Sequence, residues 1–359
     1  MSYILAGDIG GTKTLLQIST VAGTTPVLQK SFCSTTYANL ADMLDEFLRE
    51  AGVNKISAAC FALAGTVNGR LATLTNLPWR VDADAIAARF DIARVSLIND
   101  FEGVGLGLSA LQEHDLLTLQ AGHAPSSALQ SGALPSSSLQ SSPSQSSHAQ
   151  AGGVRLVVGA GTGLGVGWLT CCPAGPDNAY TAHPSEGGHM DFAPRDATQY
   201  ALLHYLQQRH GHVSYERIVS GGGLVTLLEF LRDSGRAVPS MQLLKQMAEG
   251  DPAAAIARAA QHENEPIARM ALDLFISIYG AFVGNLALLM LPRGGIYVAG
   301  GIAAKIASTM QQGEFVRAFR DKGRFAGLLE TLPLHIVTNP HVGLLGANQI
   351  GRASCRERV

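Results

Sequence analysis

The sequence predicts an α/β protein built from two related halves. Two segments carry this prediction, because residues 3–19 and 154–169 each consist of an apolar strand, a glycine turn and a second apolar strand. After the first segment, apolar runs typical of buried strands alternate with helical spacing, giving a ββαβα order that is typical of an α/β domain with a mixed sheet. At 359 residues, the chain is long enough for two domains with substantial cores.

The glycine turn of the first segment has the composition of a phosphate-binding site. Gly10 and Gly11 have no side chains, so an anion can approach their backbone N–H groups, and Thr12 and Lys13 add a hydroxyl and a cation. Asp8 supplies a hard oxygen ligand suited to Mg²⁺ or to its coordinated water. Because a carboxylate would repel a phosphate unless a cation lay between them, this turn predicts a metal–nucleotide complex.

The second segment repeats the pattern with Gly159, Gly161, Thr162 and Gly163. The first segment lacks P-loop spacing and neither segment has the Rossmann fingerprint, so both are interpreted as phosphate hairpins of another kind. A chain with 40 glycines also forms ordinary β-turns. The recurrence favours the functional interpretation, in which the two turns hold one polyphosphate.

Charge and cysteine usage exclude several classes of function. The net charge of −2 gives no electrostatic basis for binding nucleic acid or acidic membranes. The five cysteines show neither CxxC nor zinc-ligand spacing, and their odd number argues against a disulfide framework. This usage is typical of a reducing cytoplasm. Because the N-terminal residues lead directly into a strand carrying Asp8, we expect no signal peptide and predict a cytoplasmic protein.

One apolar segment requires a test for membrane insertion. Residues 274–292 are uncharged over a length that could span a bilayer, and Gly280 and Gly284 form a GxxxG motif. Asn285 lies in the middle of this segment, however, and a strand-like run follows almost at once. We therefore predict a core helix buried between a sheet and neighbouring helices.

The organisation of the chain is predicted as follows. Residues 1–110 and 339–350 form a small α/β domain, and residues 111–338 form a large one. Residues 121–153 are rich in Ser, Gln, Ala, Gly and Pro and cannot bury enough apolar surface to offset their ordering entropy. We expect a disordered insertion there, with the flanking strands still paired. Residues 351–359 lose amphipathic periodicity abruptly and are interpreted as a non-native tail.

Asp100 is the predicted catalytic residue. It follows a buried strand, and ligands of α/β sheets gather beyond the carboxyl ends of the strands. A carboxylate at this place can orient a sugar hydroxyl and accept its proton as the oxygen attacks phosphorus. Asn99 offers an amide donor and acceptor beside it. The alternative is that Asp100 caps a helix beginning near Phe101.

A second group of polar residues suits a polyol. Glu186, His189 and Glu216 provide carboxylates and an imidazole, which match sugar hydroxyls in an orientation-specific way. Two alternatives stay open at this point. Glu186, His189 and Asp191 could hold a metal ion, or His189 could be a satisfied core histidine.

Two further glycine groups suit a nucleoside. The group that begins at Gly221 precedes a helix, and Gly300 and Gly301 follow a strand. Backbone without side chains can lie against a purine ring and its ribose, although glycine also caps helices and forms turns.

Taken together, these residues resemble the bacterial glucokinases of the hexokinase/actin-like ATPase superfamily. The resemblance covers residues 4–350 apart from the Ser/Gln-rich segment, and its motifs in this order are highly specific. They are Gly7-Asp8-Ile9-Gly10-Gly11-Thr12, Leu97-Ile98-Asn99-Asp100-Phe101, Gly159-Ala160-Gly161-Thr162-Gly163-Leu164-Gly165, Glu186-Gly187-Gly188-His189, Glu216-Arg217, Ala299-Gly300-Gly301-Ile302, Asp321-Lys322-Gly323-Arg324-Phe325 and Gly343-Leu344-Leu345-Gly346.

The resemblance implies a two-domain actin-like ATPase fold of the hexokinase type, related to ribonuclease H, with an interdomain cleft. It also implies ATP with Mg²⁺ and D-glucose as substrates, glucose 6-phosphate as product, and a homodimer. Residue by residue, it makes Asp100 the general base and makes Asn99, Glu186, His189 and Glu216 the sugar ligands. The sequence departs from the family at Lys13, where close relatives often have Asn, and at the insertion. The cysteine-rich zinc motif of the related repressor/kinase group is absent.

Three alternative functions share this fold. A kinase for another hexose would use the same mechanism, and a polymerising actin-like ATPase would hydrolyse ATP without sugar. A sugar-responsive transcription regulator would need a DNA-binding helical module, and the sequence shows no residues before the first strand to build one.

Overall fold

The computed structural model describes residues 2–21, 23, 25–53, 55–123, 150, 152–172 and 180–356. The predicted disorder of residues 121–153 falls mostly on 124–149 and 151, which lie outside the described residues. The chain divides into two compact units. The first unit is Met1–Asp115, Gly167–Ser185 and Asn339–Val359, and the second is Leu116–Val166 and Glu186–Thr338. The predicted assignment of a small and a large domain stays a prediction.

The described strands are, in chain order, β1 (Tyr3–Ile9), β2 (Lys13–Thr20), β3 (Pro26–Cys33), β4 (Ile56–Leu63), β5 (Gly65–Asn68), β6 (Leu71–Leu74), β7 (Arg80–Asp82), β8 (Val95–Asn99), β9 (Leu116–Gln120), β10 (Arg155–Ala160), β11 (Leu164–Cys171), β12 (Tyr180–Ser185), β13 (Ile296–Ala299) and β14 (Leu334–Val337).

The described α-helices are α1 (Leu40–Ala51), α2 (Ala83–Phe90), α3 (Asp100–Gly107), α4 (Ala197–His210), α5 (Gly221–Asp233), α6 (Met241–Glu249), α7 (Pro252–His262), α8 (Pro266–Met290), α9 (Gly301–Lys305), α10 (Ala307–Met310), α11 (Glu314–Arg320), α12 (Ala326–Glu330) and α13 (Val342–Arg356).

The first unit is organised on a five-stranded mixed sheet with the order β3-β2-β1-β4-β8. β2 runs antiparallel to β1, whereas β4 and β8 run parallel to it. The register pairs Ile9 with Leu63 and Leu63 with Asn99, so β1, β4 and β8 end at the same edge of the sheet. This edge carries the first glycine turn and the Asn99–Asp100 pair.

Local signals fix the ends of the first helices. Gly52 closes α1 in the left-handed conformation, with φ of +61°, and its N–H donates to the carbonyl of Leu48. The side chain of Asp82 caps α2 by accepting hydrogen bonds from the N–H groups of Asp84 and Ala85. Gly69, also at φ of +61°, forms the turn between the antiparallel strands β5 and β6.

The core of the first unit forms where helices cover the sheet. Phe47 of α1 and Phe61 of β4 are fully buried among the branched side chains of β1 and β2. On another part of the unit, α13 packs so closely against α3 that a Cβ at Gly346 would lie 1.9 Å from the carbonyl oxygen of Gly103. Position 346 therefore requires glycine. This packing holds in place α3, the helix that begins with Asp100.

The second unit contains the strand order β10-β13-β14-β9. β10, β13 and β14 are parallel, and β9 runs antiparallel to β14. The expectation that the strands flanking the Ser/Gln-rich segment pair with each other is therefore wrong. β9 pairs with β14 and β10 pairs with β13, because β13 and β14 lie between β9 and β10 in the sheet.

Helix α8 is long and apolar enough, by length and composition alone, to cross a membrane, but two thirds of its most apolar window is buried inside the protein. Its GxxxG glycines lie against α11. A Cβ at Gly280 would lie 2.3 Å from the carbonyl oxygen of Phe315, and a Cβ at Gly284 would lie 2.4 Å from that of Phe319. The prediction of a core helix is confirmed.

The C-terminal helix extends beyond residue 350, the predicted end of the small domain. α13 continues to Arg356. Gly351 lies directly over the side chain of Ile4, and Arg352 donates from Nε to Asn348 Oδ1 at 3.3 Å and from its guanidinium to the carbonyl of Gly23. Tertiary contacts therefore continue the helix. The non-native origin of residues 351–359 stays a prediction.

Candidate active site

The first glycine turn joins β1 to β2 in a tight connection. The N–H of Gly10 donates to the carbonyl of Lys13 at 3.0 Å, and Ile9 pairs with Thr14. A Cβ at Gly10 would lie 2.9 Å from the Lys13 oxygen, and one at Gly11 would lie 2.8 Å from Cβ of Asn76. Neither glycine has a positive φ. Close approach of neighbouring atoms, rather than an unusual backbone conformation, therefore requires glycine here. Thr12 and Lys13 are exposed at the turn.

Asp8 lies on β1, two residues before this turn, and is half-buried. Its carboxylate faces the first turn of α13, where a Cβ at Gly343 would lie 2.8 Å from Asp8 Oδ2. Burial raises the pKa of Asp8 from 3.8 to about 6, and the cation of Lys13 opposes this shift. At neutral pH the group is mainly an ionised carboxylate, which is the form that binds a hard cation.

Asn99 and Asp100 form the junction between β8 and α3. Asn99 is the N-cap residue, because its Oδ1 accepts the N–H of Phe101 at 2.9 Å. Its Nδ2 also donates to the carbonyl of Gly65 at 3.2 Å. Asp100 is the first helical residue, is half-buried, and accepts the Phe101 N–H at 3.0 Å. The alternative in which Asp100 serves as the helix cap is therefore wrong, since Asn99 occupies that position.

The second glycine turn joins β10 to β11. The N–H of Gly161 donates to the carbonyl of Gly163 at 2.8 Å, and Thr162 is exposed. Gly159 is buried inside β10, where it pairs with Ala299 of β13. Gly159 therefore belongs to the strand that supports the turn and not to the turn itself.

Glu216 lies directly against this turn. Its Oε2 accepts the N–H of Leu164 at 2.9 Å, and a Cβ at Gly163 would approach the same oxygen to 2.6 Å. Its other oxygen, Oε1, lies 3.5 Å from Nε2 of His189. One carboxylate thus contacts both the second glycine turn and the predicted sugar-binding histidine.

The three predicted sugar ligands of the second unit lie together. The His189 ring lies between two carboxylates, with Nδ1 3.6 Å from Glu186 Oε2 and Nε2 3.5 Å from Glu216 Oε1. His189 is exposed, so the core-histidine interpretation is wrong. Asp191 pairs with His212 at 3.1 Å. No group of three or more His, Cys, Asp or Glu within the described part of the chain is placed to hold a metal ion.

A cavity of about 600 Å³ in the second unit brings together the remaining glycine groups. The N–H of Gly221, at the start of α5, donates to the carbonyl of Gly161 at 2.9 Å and ties this helix to the second glycine turn. Gly300 has a φ of +87°, and a Cβ there would lie 2.5 Å from the carbonyl oxygen of Ala160. The cavity lining is Gly161, Thr162, Gly221, Gly222, Leu224, Val225, Asp251, Pro252, Ala253, Ala254, Ala257, Gly301, Ile302, Lys305 and Ile306.

Five of these lining residues are predicted from the sequence as nucleotide-binding, whereas the apolar walls are not. The five are Gly161, Thr162, Gly221, Gly222 and Gly301. The walls come from the residues that follow each glycine group in α5 and α9 and from the start of α7. Asp251 is the sequence signal for one of these walls. Its side chain caps α7, and the first turn of that helix lines the cavity.

Comparisons with known proteins identify the family of this chain. The glucokinase family model matches residues 5–354. The chain is 40% identical to the glucokinase of Trichormus variabilis (strain ATCC 29413 / PCC 7937) over 364 residues, which cover 97% of this chain and 98% of the relative. The chain belongs to the glucokinase family.

Solved structures of glucokinases share the fold. A glucokinase from an Antarctic psychrotroph aligns over 100% of both chains with a TM-score of 0.75 at 24% identity. A ROK family glucokinase from Streptomyces griseus, solved in complex with glucose and AMPPNP, aligns over 98% of this chain and 99% of that chain with a TM-score of 0.61 at 17% identity. The predicted actin-like ATPase fold of the hexokinase type is confirmed.

Proposed function

We propose that this member of the glucokinase family transfers the γ-phosphoryl group of ATP to the 6-hydroxyl of D-glucose. One arrangement supports this proposal best. The second glycine turn borders the cavity of about 600 Å³ on one side and contacts Glu216, and through it His189, on the other. A nucleotide-sized cavity thus lies next to a set of carboxylate and imidazole groups that suit a polyol.

The cavity suits the adenosine part of the nucleotide. Leu224, Val225 and Ile302 offer apolar surface to a purine ring, and Gly221 and Gly301 let backbone approach it closely. The exposed hydroxyl of Thr162 is available to the phosphate groups, whereas the N–H of Gly161 already donates to the carbonyl of Gly163. Gly300 would act indirectly, by holding the backbone of Gly301 against β10.

The first glycine turn would bind the terminal phosphates. Gly10 and Gly11 keep the backbone free of side chains, and Thr12 and Lys13 provide an exposed hydroxyl and cation. The anionic oxygens of ATP would be neutralised in part by Lys13, so this side chain would favour the nucleotide electrostatically.

Asp8 fits the Mg²⁺ that accompanies ATP. Its half-buried carboxylate is a hard oxygen donor beside the first glycine turn, and its position against the N-terminal backbone of α13 fixes its direction. When bound, Mg²⁺ would neutralise charge on the β- and γ-phosphates. Asp8 would hold the ion directly or through a coordinated water.

Glu186, His189, Glu216 and Asn99 would hydrogen-bond the hydroxyls of glucose. The two carboxylates on either side of His189 favour the imidazole orientation in which its ring nitrogens face them. Asn99 retains one amide hydrogen for a ligand, since its oxygen accepts from Phe101 and its nitrogen donates once to Gly65.

Asp100 would act as the general base. Its carboxylate accepts the proton of the glucose 6-hydroxyl as O6 forms a bond to the γ-phosphorus and the bond from that phosphorus to the β,γ-bridging oxygen breaks. ADP leaves with the electron pair of the broken bond, and the proton passes from Asp100 to solvent. The position of Asp100 at the carboxyl edge of β1, β4 and β8 supports this role.

The test is ADP release from the purified chain with ATP and Mg²⁺ across a panel of hexoses. We expect glucose to give the highest kcat/KM, and EDTA to abolish turnover. If mannose, fructose or an N-acetyl sugar gives a higher value, the chain is a kinase for that sugar. ATP hydrolysis that is independent of any sugar, together with light scattering that rises on addition of ATP, would identify a polymerising ATPase and overturn the proposal.

We also propose a cytoplasmic homodimer. Family membership supports this assembly, and the cysteine usage supports a reducing compartment. Light scattering coupled to size-exclusion chromatography would give the molar mass, and twice the 37.7 kDa of one chain is the expected result.

A further inference from the structure

Ser34 is a fully buried polar residue next to the first glycine turn. It begins a short 3₁₀ turn, Ser34–Thr36, directly after β3. Its hydroxyl donates to the carbonyl of Gly10 at 2.7 Å, and its N–H donates to the carbonyl of Thr12 at 2.9 Å. The Ser34 hydroxyl has a single hydrogen, and this hydrogen is used in the bond to the Gly10 carbonyl. In the second contact, 2.9 Å between Thr14 Oγ1 and Ser34 Oγ, the Thr14 hydroxyl must therefore be the donor.

These bonds fix the direction of two peptide groups in the turn. The described chain contains no cis peptide bond, and in a planar trans peptide the N–H points opposite to the carbonyl. The carbonyls of Gly10 and Thr12 both point towards Ser34. The N–H groups of Gly11 and Lys13, which belong to the same two peptide groups, therefore point away from it.

We propose that Ser34 is a positioning residue that holds the first glycine turn in the conformation that binds the phosphate groups of the nucleotide. This inference rests on the proposed function. Ser34 is too deeply buried to contact a ligand, so it acts through the turn. Its role is to fix the directions of these two peptide groups before the nucleotide arrives, which lowers the entropic cost of binding.

The alternative is that Ser34 only stabilises the fold, and the chain offers a control for it. Ser19, on the same strand as Thr14, is also buried, and its hydroxyl donates to Asn348 Oδ1 at 3.1 Å. Ser19 has a similar environment and one hydrogen bond to lose, but it lies at the other end of β2 from the glycine turn. Ser19→Ala thus reproduces the loss of a buried hydroxyl without touching the turn.

The experiment measures binding of AMPPNP with Mg²⁺ and of adenosine by titration calorimetry. We expect Ser34→Ala to raise the Kd of AMPPNP about five- to tenfold, as the loss of one hydrogen bond that orders the turn would do. The Kd of adenosine, which has no phosphate, should not change. In steady-state kinetics the KM for ATP should rise while the KM for glucose stays the same.

Two further variants complete the test. Thr14→Val keeps the bond from Ser34 to Gly10 and should weaken AMPPNP binding less than Ser34→Ala does. Ser19→Ala should lower the melting temperature as Ser34→Ala does, but leave AMPPNP binding unchanged. The inference is overturned if Ser34→Ala binds AMPPNP like the unaltered protein, or if it weakens adenosine equally. If the unaltered protein does not bind AMPPNP, the proposed function itself fails.

Discussion

Leu164 donates its backbone N–H to Oε2 of Glu216 at 2.9 Å, so a predicted sugar ligand closes the end of the second glycine turn. The same carboxylate lies 3.5 Å from His189 through its other oxygen. Substitutions of Glu216 should therefore affect both the second glycine turn, proposed to bind the nucleotide, and the proposed glucose site at His189. A substitution that keeps the bond to Leu164 and one that removes it should separate the two effects.

Glu216→Gln should raise the KM for glucose with little change in the KM for ATP. Glutamine keeps a carbonyl oxygen for the Leu164 N–H but loses the negative charge that faces His189. Glu216→Ala leaves that N–H without its partner, at a cost of about 1–3 kcal/mol, and should raise both KM values. Steady-state kinetics with each substrate varied in turn provides the measurement. Glu229→Ala, which removes an ion pair with Arg209 elsewhere in the unit, serves as the control. An effect of Glu216→Ala on glucose alone would contradict the link to the turn.

Asp100→Asn should lower kcat by about 10²- to 10⁴-fold and leave glucose binding largely intact. Asparagine retains an oxygen that accepts the Phe101 N–H, so α3 should still begin correctly, but it cannot take the proton of the sugar hydroxyl. Asp84→Asn, at the first turn of α2, is the matched control for a carboxylate near a helix N-terminus. Turnover in the variant close to that of the unaltered protein would remove Asp100 from the mechanism.

Gly301→Leu should weaken nucleotide binding by about tenfold or more, because the new side chain enters the cavity of about 600 Å³. A Cβ at this position meets no atom within 4 Å, so the fold should tolerate the change. Gly327→Leu is the control, since its Cβ also meets no atom within 4 Å and it does not line the cavity. Calorimetric titration with AMPPNP distinguishes the two variants. Equal binding to both would mean that the nucleotide does not occupy this cavity.

Asp8→Asn should stabilise the protein at pH 7 while lowering its activity. The pKa of Asp8 is about 6 in the folded protein against 3.8 for the free side chain, so the folded state binds the proton more tightly. The free energy of unfolding of the unaltered protein therefore falls as the pH rises from about 4 through about 6, by up to about 3 kcal/mol. Asparagine resembles the neutral acid and should avoid that loss.

Urea unfolding at pH 4 and pH 7, with EDTA present, measures this effect. The gain of Asp8→Asn over the unaltered protein should be large at pH 7 and small at pH 4. Asp84→Asn should give no gain at either pH, because Arg70 holds the pKa of that exposed carboxyl below its usual value. A gain at pH 4 as large as that at pH 7 would show that burial of the charge is not the cause.

Features that depend on a few neighbouring residues can be predicted from the sequence. Gly52 ends α1 through its backbone, and Asp82 and Asp251 begin α2 and α7 through their side chains. The nearby sequence alone is therefore enough to predict these helix ends. The same holds for the two glycine turns, where composition alone indicates close backbone approach.

Features that depend on distant parts of the chain were missed. The pairing of β9 with β14 joins residues far apart in the sequence, and no local pattern specifies that partner. Ser34 is an ordinary residue after an amphipathic strand until folding places it against the turn. The extension of α13 depends on contacts with Ile4 and Gly23, which periodicity within the helix cannot reveal.

Helix α8 contacts the short turn that carries Glu216. Asn285 donates to the hydroxyl of Tyr215 at 3.1 Å, and the ring of Phe282 lies 4.3 Å, centroid to centroid, from that of Tyr215. Tyr215 immediately precedes Glu216 in the same short turn. With Glu216 as the proposed sugar ligand, a substitution at position 285 would change sugar preference through the protein interior, and screens limited to residues that touch the ligand would overlook it.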